Sequence, residues 1–129
     1  ISFNVGGIYA ERIAPVFITI NRTIYNKGKK PHKEAMKRAS EYMKVGNWDK
    51  AADIWFDLSS SADPKTAGKA CVNLAIAYER EGDFEHAMEF AEKALFFHQF
   101  NKARYYFDQL NMRMREEDRA NQQMQNKKD

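Results

Sequence analysis

Between Pro31 and Phe100 the apolar residues recur at steps of three and four, the period of helices that bury one face. Leu74 and Tyr78 stand one turn apart, and Phe84, Ala87, Ala91 and Ala94 continue the stripe after a break. The pattern predicts helices over about 32–45, 48–60, 65–81 and 84–97. A fifth, over about 101–122, turns Tyr105, Tyr106, Leu110 and Met114 inward, and its polar remainder caps the array. Beyond Gln122 the chain is expected to fray. Two breaks divide the pattern. Asn26–Pro31 combines a glycine, a proline and a basic run and reads as a linker or surface turn. Ser59–Pro64 ends one helix and opens the next.

Before the first break the pattern changes. Ile1 to Gly28 is apolar, rich in β-branched residues and poor in charge. Residues 6–14 suit a short helix ended by Pro15. Val16 to Tyr25 reads as a strand, although Ile13, Phe17, Ile20 and Ile24 also fit a helical period. A lone strand is unstable in water, so this segment needs a partner, either upstream or in a second copy of the chain. Residues 1–30 are thus expected to be the remnant of an upstream β-containing domain, and 31–129 a helical domain. An Ile in first place agrees with a chain cut from a longer protein.

The helical part repeats itself. Ala39, Tyr42, Gly46, Asn47-Trp48 and Ala51 align with Ala75, Tyr78, Gly82, Asp83-Phe84 and Ala87 at one constant offset. Each residue type has a physical task. The alanines at 39 and 75 allow two helices to cross closely, and those at 51 and 87 face back toward the first helix. The glycines let the backbone turn left-handed past a helix end. Asn47 and Asp83 cap the following helix by accepting from its free amides. Trp48 and Phe84 plug the turn. Met43, Met88, Phe56, Phe90, Phe96, Phe97 and Phe100 read as core and inter-repeat packing.

Composition removes several classes of function. With 21 basic against 18 acidic residues the net charge is only +3, too small a surplus for a dedicated nucleic-acid binder. One cysteine, Cys71, excludes an intramolecular disulfide framework, and its apolar setting reads as a small buried hydrophobe, not a nucleophile. No apolar run is long enough to span a membrane. His32, His86 and His98 are scattered, and no His/Cys/carboxylate cluster has the spacing of a metal site. Ser59-Ser60-Ser61 has no base beside it, and Gly6-Gly7 is too short to cradle a phosphate. Neither catalysis nor a cofactor is expected.

The Tyr42/Gly46/Ala51 and Tyr78/Gly82/Ala87 pattern resembles the tetratricopeptide repeat over about residues 32–100. Ala35 and Cys71 stand where that repeat carries a tryptophan, and Leu58-Ser59 departs from it at the end of the first unit. The resemblance implies a mainly α fold of two antiparallel helical hairpins with a capping helix, following a short N-terminal helix or strand segment. It also implies a concave groove lined by the first helix of each hairpin. The matching positions are Lys33, Met36, Lys37, Ser40, Met43 and Lys44, then Lys69, Val72, Asn73, Ile76 and Arg80. Lys69 and Asn73, one turn apart, resemble half of the clamp with which some members hold a peptide carboxylate. A wider run, Tyr9–Pro15 with Arg22, Tyr25 and Gly28, is similar to an uncharacterised family of Bacteroidetes lipoproteins. That likeness implies a lipid anchor upstream, and so a periplasmic or outer-membrane location.

Two functions follow as expectations. The first is a non-catalytic scaffold that binds a protein or peptide partner in the groove. The second is a structural buttress for an upstream domain, with no ligand of its own. A close-packed contact between the N-terminal segment and the repeats would favour the second.

Overall fold

The punctuation read from the sequence sets the helix ends. A computed structural model describes residues 22–98 and 101–128, and places α1 at Lys33–Lys44, α2 at Trp48–Leu58, α3 at Pro64–Arg80, α4 at Phe84–Phe97 and α5 at Asn101–Lys128. The protein is mainly helical, and no strand occurs among the described residues. Gly46 and Gly82 have φ of 85° and 82°, the left-handed turn expected after α1 and α3. The Asn47 side chain accepts from the Lys50 amide at 3.2 Å, and Asp83 accepts from the His86 amide at 3.2 Å, capping α2 and α4. Asp63 does the same for α3 through the Thr66 amide and hydroxyl, with Pro64 in the first turn, where its missing N–H is no loss.

Each helix packs on the next in chain order, and α3 also touches α5. Ala39, Ala51, Ala75 and Ala87 are fully buried, as close helix crossings require. Trp55 of α2 is the largest fully enclosed side chain and meets Trp48 edge-on, ring centroids 6.2 Å apart. Trp48 and Phe84 pack partly buried against this core.

Several expectations are corrected. Helix α5 continues to Lys128, because no glycine or proline interrupts a run of good helix formers. Its inward face is Ala103, Tyr106 and Leu110, steps of three and four, which turns Tyr105 outward to 67% exposure. Phe56 and Phe96 are exposed instead of packed in the core, while Phe90 is buried. Of the strand expected over 16–25, residues 16–21 lie outside the described residues, and 22–25 form no strand. Residues 22–29 instead run without helix or strand across the helices, with Ile24 and Tyr25 packed against the core. Gly28 lies so close to α1 that a Cβ there would stand 3.1 Å from Met36 Cγ.

Gly46→Ala and Gly82→Ala probe the two turns. Nothing lies within 4 Å of a Cβ built at either position, so only backbone strain opposes the change. Each substitution is expected to cost about 1–2 kcal/mol and to lower Tm in a thermal melt. An unchanged Tm would show that the turn tolerates a side chain.

Candidate functional site

The site is a cleft lined by α1, α3 and α5, and the chain's own residues 22–27 lie in it. Three side chains of α3, Asn73, Lys69 and Glu79, hold that segment. Asn73 is fully buried. Its Oδ1 accepts from the Tyr25 amide at 2.7 Å, and its Nδ2 donates to the Tyr25 carbonyl at 2.7 Å. One side-chain amide can reach both groups of one residue only where the backbone is extended, so Asn73 reads main-chain shape and not side-chain identity. One turn earlier, Lys69 Nζ donates to the Lys27 carbonyl at 3.1 Å.

Glu79 holds the other end. Its side chain is 3% exposed and both oxygens are saturated. Arg22 donates from Nε to Oε1 and from Nη2 to Oε2, each at 2.9 Å. Arg113 of α5 donates to Oε2 at 2.7 Å, and the Tyr106 hydroxyl to Oε1 at 3.0 Å. Four hydrogen bonds match the acceptor capacity of a carboxylate. Burial alone would push the carboxyl up. The hydrogen bonds from Arg22 and Arg113, the Arg22 charge and the Tyr106 hydroxyl outweigh burial and hold it below the usual glutamate range. Burial and the Glu79 charge push the Tyr106 phenol far up, so it stays a donor. Arg22 also lies over the Tyr106 ring, 5.4 Å from its centroid. Burial raises the Tyr25 phenol to about 12.

The predicted groove positions divide into four groups. Lys69 and Asn73 act together on peptide groups, but on the main chain of residues 25 and 27 and not on a terminal carboxylate. Ser40, Lys44, Ile76 and Arg80 come together around a cavity of about 580 Å³ beside the segment. Lys33 and Lys37 are exposed on α1 and line neither this cavity nor the segment's seat. Val72 and Met36 are buried, and Met43 is half-buried at the cavity wall. The residue that sequence reasoning missed is Glu79. Its signal was a carboxylate at the end of the apolar stripe Val72–Ile76, three residues past Ile76 on the same helix face. The lone Arg22 in an apolar segment was its counterpart.

Cys71 is fully buried, and burial raises its thiol to about 11, so it is a packing residue at neutral pH. Among the described residues no group of three or more His, Cys, Asp or Glu side chains could hold a metal ion. No described helix is long and apolar enough to cross a membrane.

Fold and cleft together define a helical domain that holds an extended segment of its own chain. A family model described as a domain of unknown function, DUF6340, matches residues 37–126, and the chain belongs to that family. No curated protein and no solved structure matches it.

Removing a holder should release the segment. Asn73→Ala leaves the Tyr25 amide and carbonyl without their partner, a loss of about 1–3 kcal/mol. Amide exchange at Tyr25 should accelerate while the core of α3 stays protected; equal exchange in variant and parent would refute the clamp. Acid should act through Glu79. Its folded-state pKa is depressed, so its contribution is complete above the ordinary glutamate value of 4.5 and is lost as pH falls through the lowered one. The Tyr25 amide shift, followed by NMR from neutral pH downward, should move only below about pH 4.5, and Glu79→Gln should abolish that transition.

Proposed function

We propose that this protein is a non-catalytic scaffold, built from tetratricopeptide-like helix pairs, whose cleft clamps the chain's own segment Arg22–Lys27 and so anchors the residues before it. The observation that carries this reading is the two-ended grip, Asn73 on the Tyr25 main chain and Glu79 on the Arg22 guanidinium. A transient contact would not place a carboxylate that is 3% exposed against an arginine that is 17% exposed. Desolvating both charges costs several kcal/mol and is offset only where the geometry is held. The helix pairing is supported by the repeated Ala, Tyr, Gly and Ala positions and by the matched left-handed glycines. We place the protein in a cell-envelope lipoprotein on the likeness of Tyr9–Pro15, Arg22, Tyr25 and Gly28 to that family. The buttress reading is favoured over capture of a partner by Lys69 and Asn73, because both are occupied by residues 25 and 27.

Limited trypsinolysis tests the clamp. Arg22–Thr23 should resist cleavage in the parent protein and be cut at least about tenfold faster in Asn73→Ala and Glu79→Ala, in line with a loss of roughly 1.4 kcal/mol or more. Circular dichroism should show helix content retained in the variants. Equal cleavage rates would mean that the segment is not held.

A further inference from the structure

A second cavity, of about 610 Å³, opens where the segment meets the first turns of α3 and the start of α5. No residue of α1 lines it, and of the predicted groove positions only Lys69 reaches it. Its size falls within the roughly 300–1,000 Å³ common for ligand sites.

The charge of its walls is one-sided. Lys65 and Lys69 stand one turn apart on α3, a spacing at which like charges repel, and Lys102 enters from the first turn of α5. Lys69 and Lys102 each bring the ammonium to 6.0 Å from the centroid of the Tyr25 ring, so cations of two helices gather around one side chain of the segment. No Asp or Glu is among the described lining residues, and none of the three lysines has an ion pair among the described residues. Asp63, whose charge reaches Lys69, spends its Oδ2 on the Thr66 amide and hydroxyl. Burial, joined by the Lys65 and Lys29 charges and opposed by Asp63, holds Lys69 below the usual lysine range. Its ammonium gives one hydrogen to the Lys27 carbonyl and keeps two to donate. Cations gathered in this way repel one another, and a bound anion would remove that repulsion.

The number and kind of donors select among anions. Lysines act as point charges and do not form the planar fork that matches a carboxylate. A phosphate monoester carries about −1.5 to −2 charge at neutral pH on three strong acceptor oxygens, enough to answer three ammoniums, where a carboxylate brings a single charge. A bare phosphate would leave much of the cavity unfilled. Thr23, Asn26 and Asn101 line the rest, and their hydroxyl and amide groups suit hydroxyls on an organic body.

We propose that this cavity binds a small hydroxylated organic phosphate, of the glycerol phosphate kind, with its phosphate held by Lys65, Lys69 and Lys102. The same chemical group exists free and as a phospholipid headgroup. The site rests on the docked segment proposed above, because that segment supplies the wall of Thr23, Tyr25 and Asn26.

The probe is glycerol phosphate, titrated into the full chain and followed by NMR at the amides of Lys65, Asn101 and Lys102. Glycerol is the uncharged control. The phosphate should give saturable shifts that weaken as salt rises, and glycerol should give none. Lys65→Gln combined with Lys102→Gln should weaken binding by about tenfold or more. Lys33→Gln combined with Lys37→Gln removes the same charge from α1, away from the cavity, and should change binding by less than about twofold. Cosedimentation with phosphatidylglycerol vesicles, absent with phosphatidylcholine and lost in the Lys65/Lys102 double variant, would assign the headgroup as the source. Binding of glycerol phosphate without cosedimentation would assign the free ester. The proposal is overturned by no saturable shift, by equal binding of glycerol, by equal losses in the two double variants, or by vesicle binding without glycerol phosphate binding. If the Tyr25 amide lacks the signature that Asn73→Ala removes, the clamp falls and this site with it. If the signature is present and glycerol phosphate does not bind, only the site falls.

Discussion

A carboxylate placed where only 3% of its side chain meets solvent must find partners or give up its proton. Glu79 finds three, and they come from two distant parts of the chain: Arg22 from the N-terminal segment, and Tyr106 and Arg113 from α5. The desolvation cost makes these contacts mutually dependent, since losing one leaves the others to neutralise a buried charge. The course of the segment, the seating of α5 and the position of Arg22 over Tyr106 all follow from satisfying that one group. Asn73 then fixes the segment's register by gripping a single residue's main chain.

This arrangement gives α3 a double role. Its small residues Ala67, Ala70 and Ala75 are buried among neighbouring helices, while Lys69, Asn73 and Glu79 turn polar groups to the segment. A polar side chain buried on a helix face is costly unless its partner is always present. A partner in the same chain is always present, which is the physical reason to read the grip as architectural. The part of the cleft beside α1 is different. There the polar groups remain exposed to the cavity, and Lys44 and Arg80 stay solvated at its rim.

The repeat pattern shows how far a one-dimensional code reaches. Gly46 and Gly82, Asn47 and Asp83, and the buried alanines are all local requirements: a left-handed turn, a free helix N-terminus, a close crossing. Such demands leave the same residue type at the same offset, so four helices and their ends were legible. The fifth helix runs on past Gln122 through a polar tail whose composition suggests fraying, because no glycine or proline there stops a helix. Tyr105 and Tyr106 are adjacent, and the choice of which turns inward depends on a rotation of α5 fixed by Ala103 and Leu110 packing below it.

What the sequence by itself determined is therefore the helical class, the turns, the caps and the face of α3 that carries Lys69, Asn73, Ile76 and Arg80. Periodicity and backbone conformation are properties of neighbours in the chain, and neighbours are what a sequence records. The pairing of Asn73 with Tyr25 and of Glu79 with Arg22, Tyr106 and Arg113 was decided only by tertiary structure. An asparagine that grips a main chain leaves no mark on the residue it holds, since every residue offers the same N–H and C=O. A glutamate on an exposed face and one sealed by two arginines are the same letter until the helices are packed.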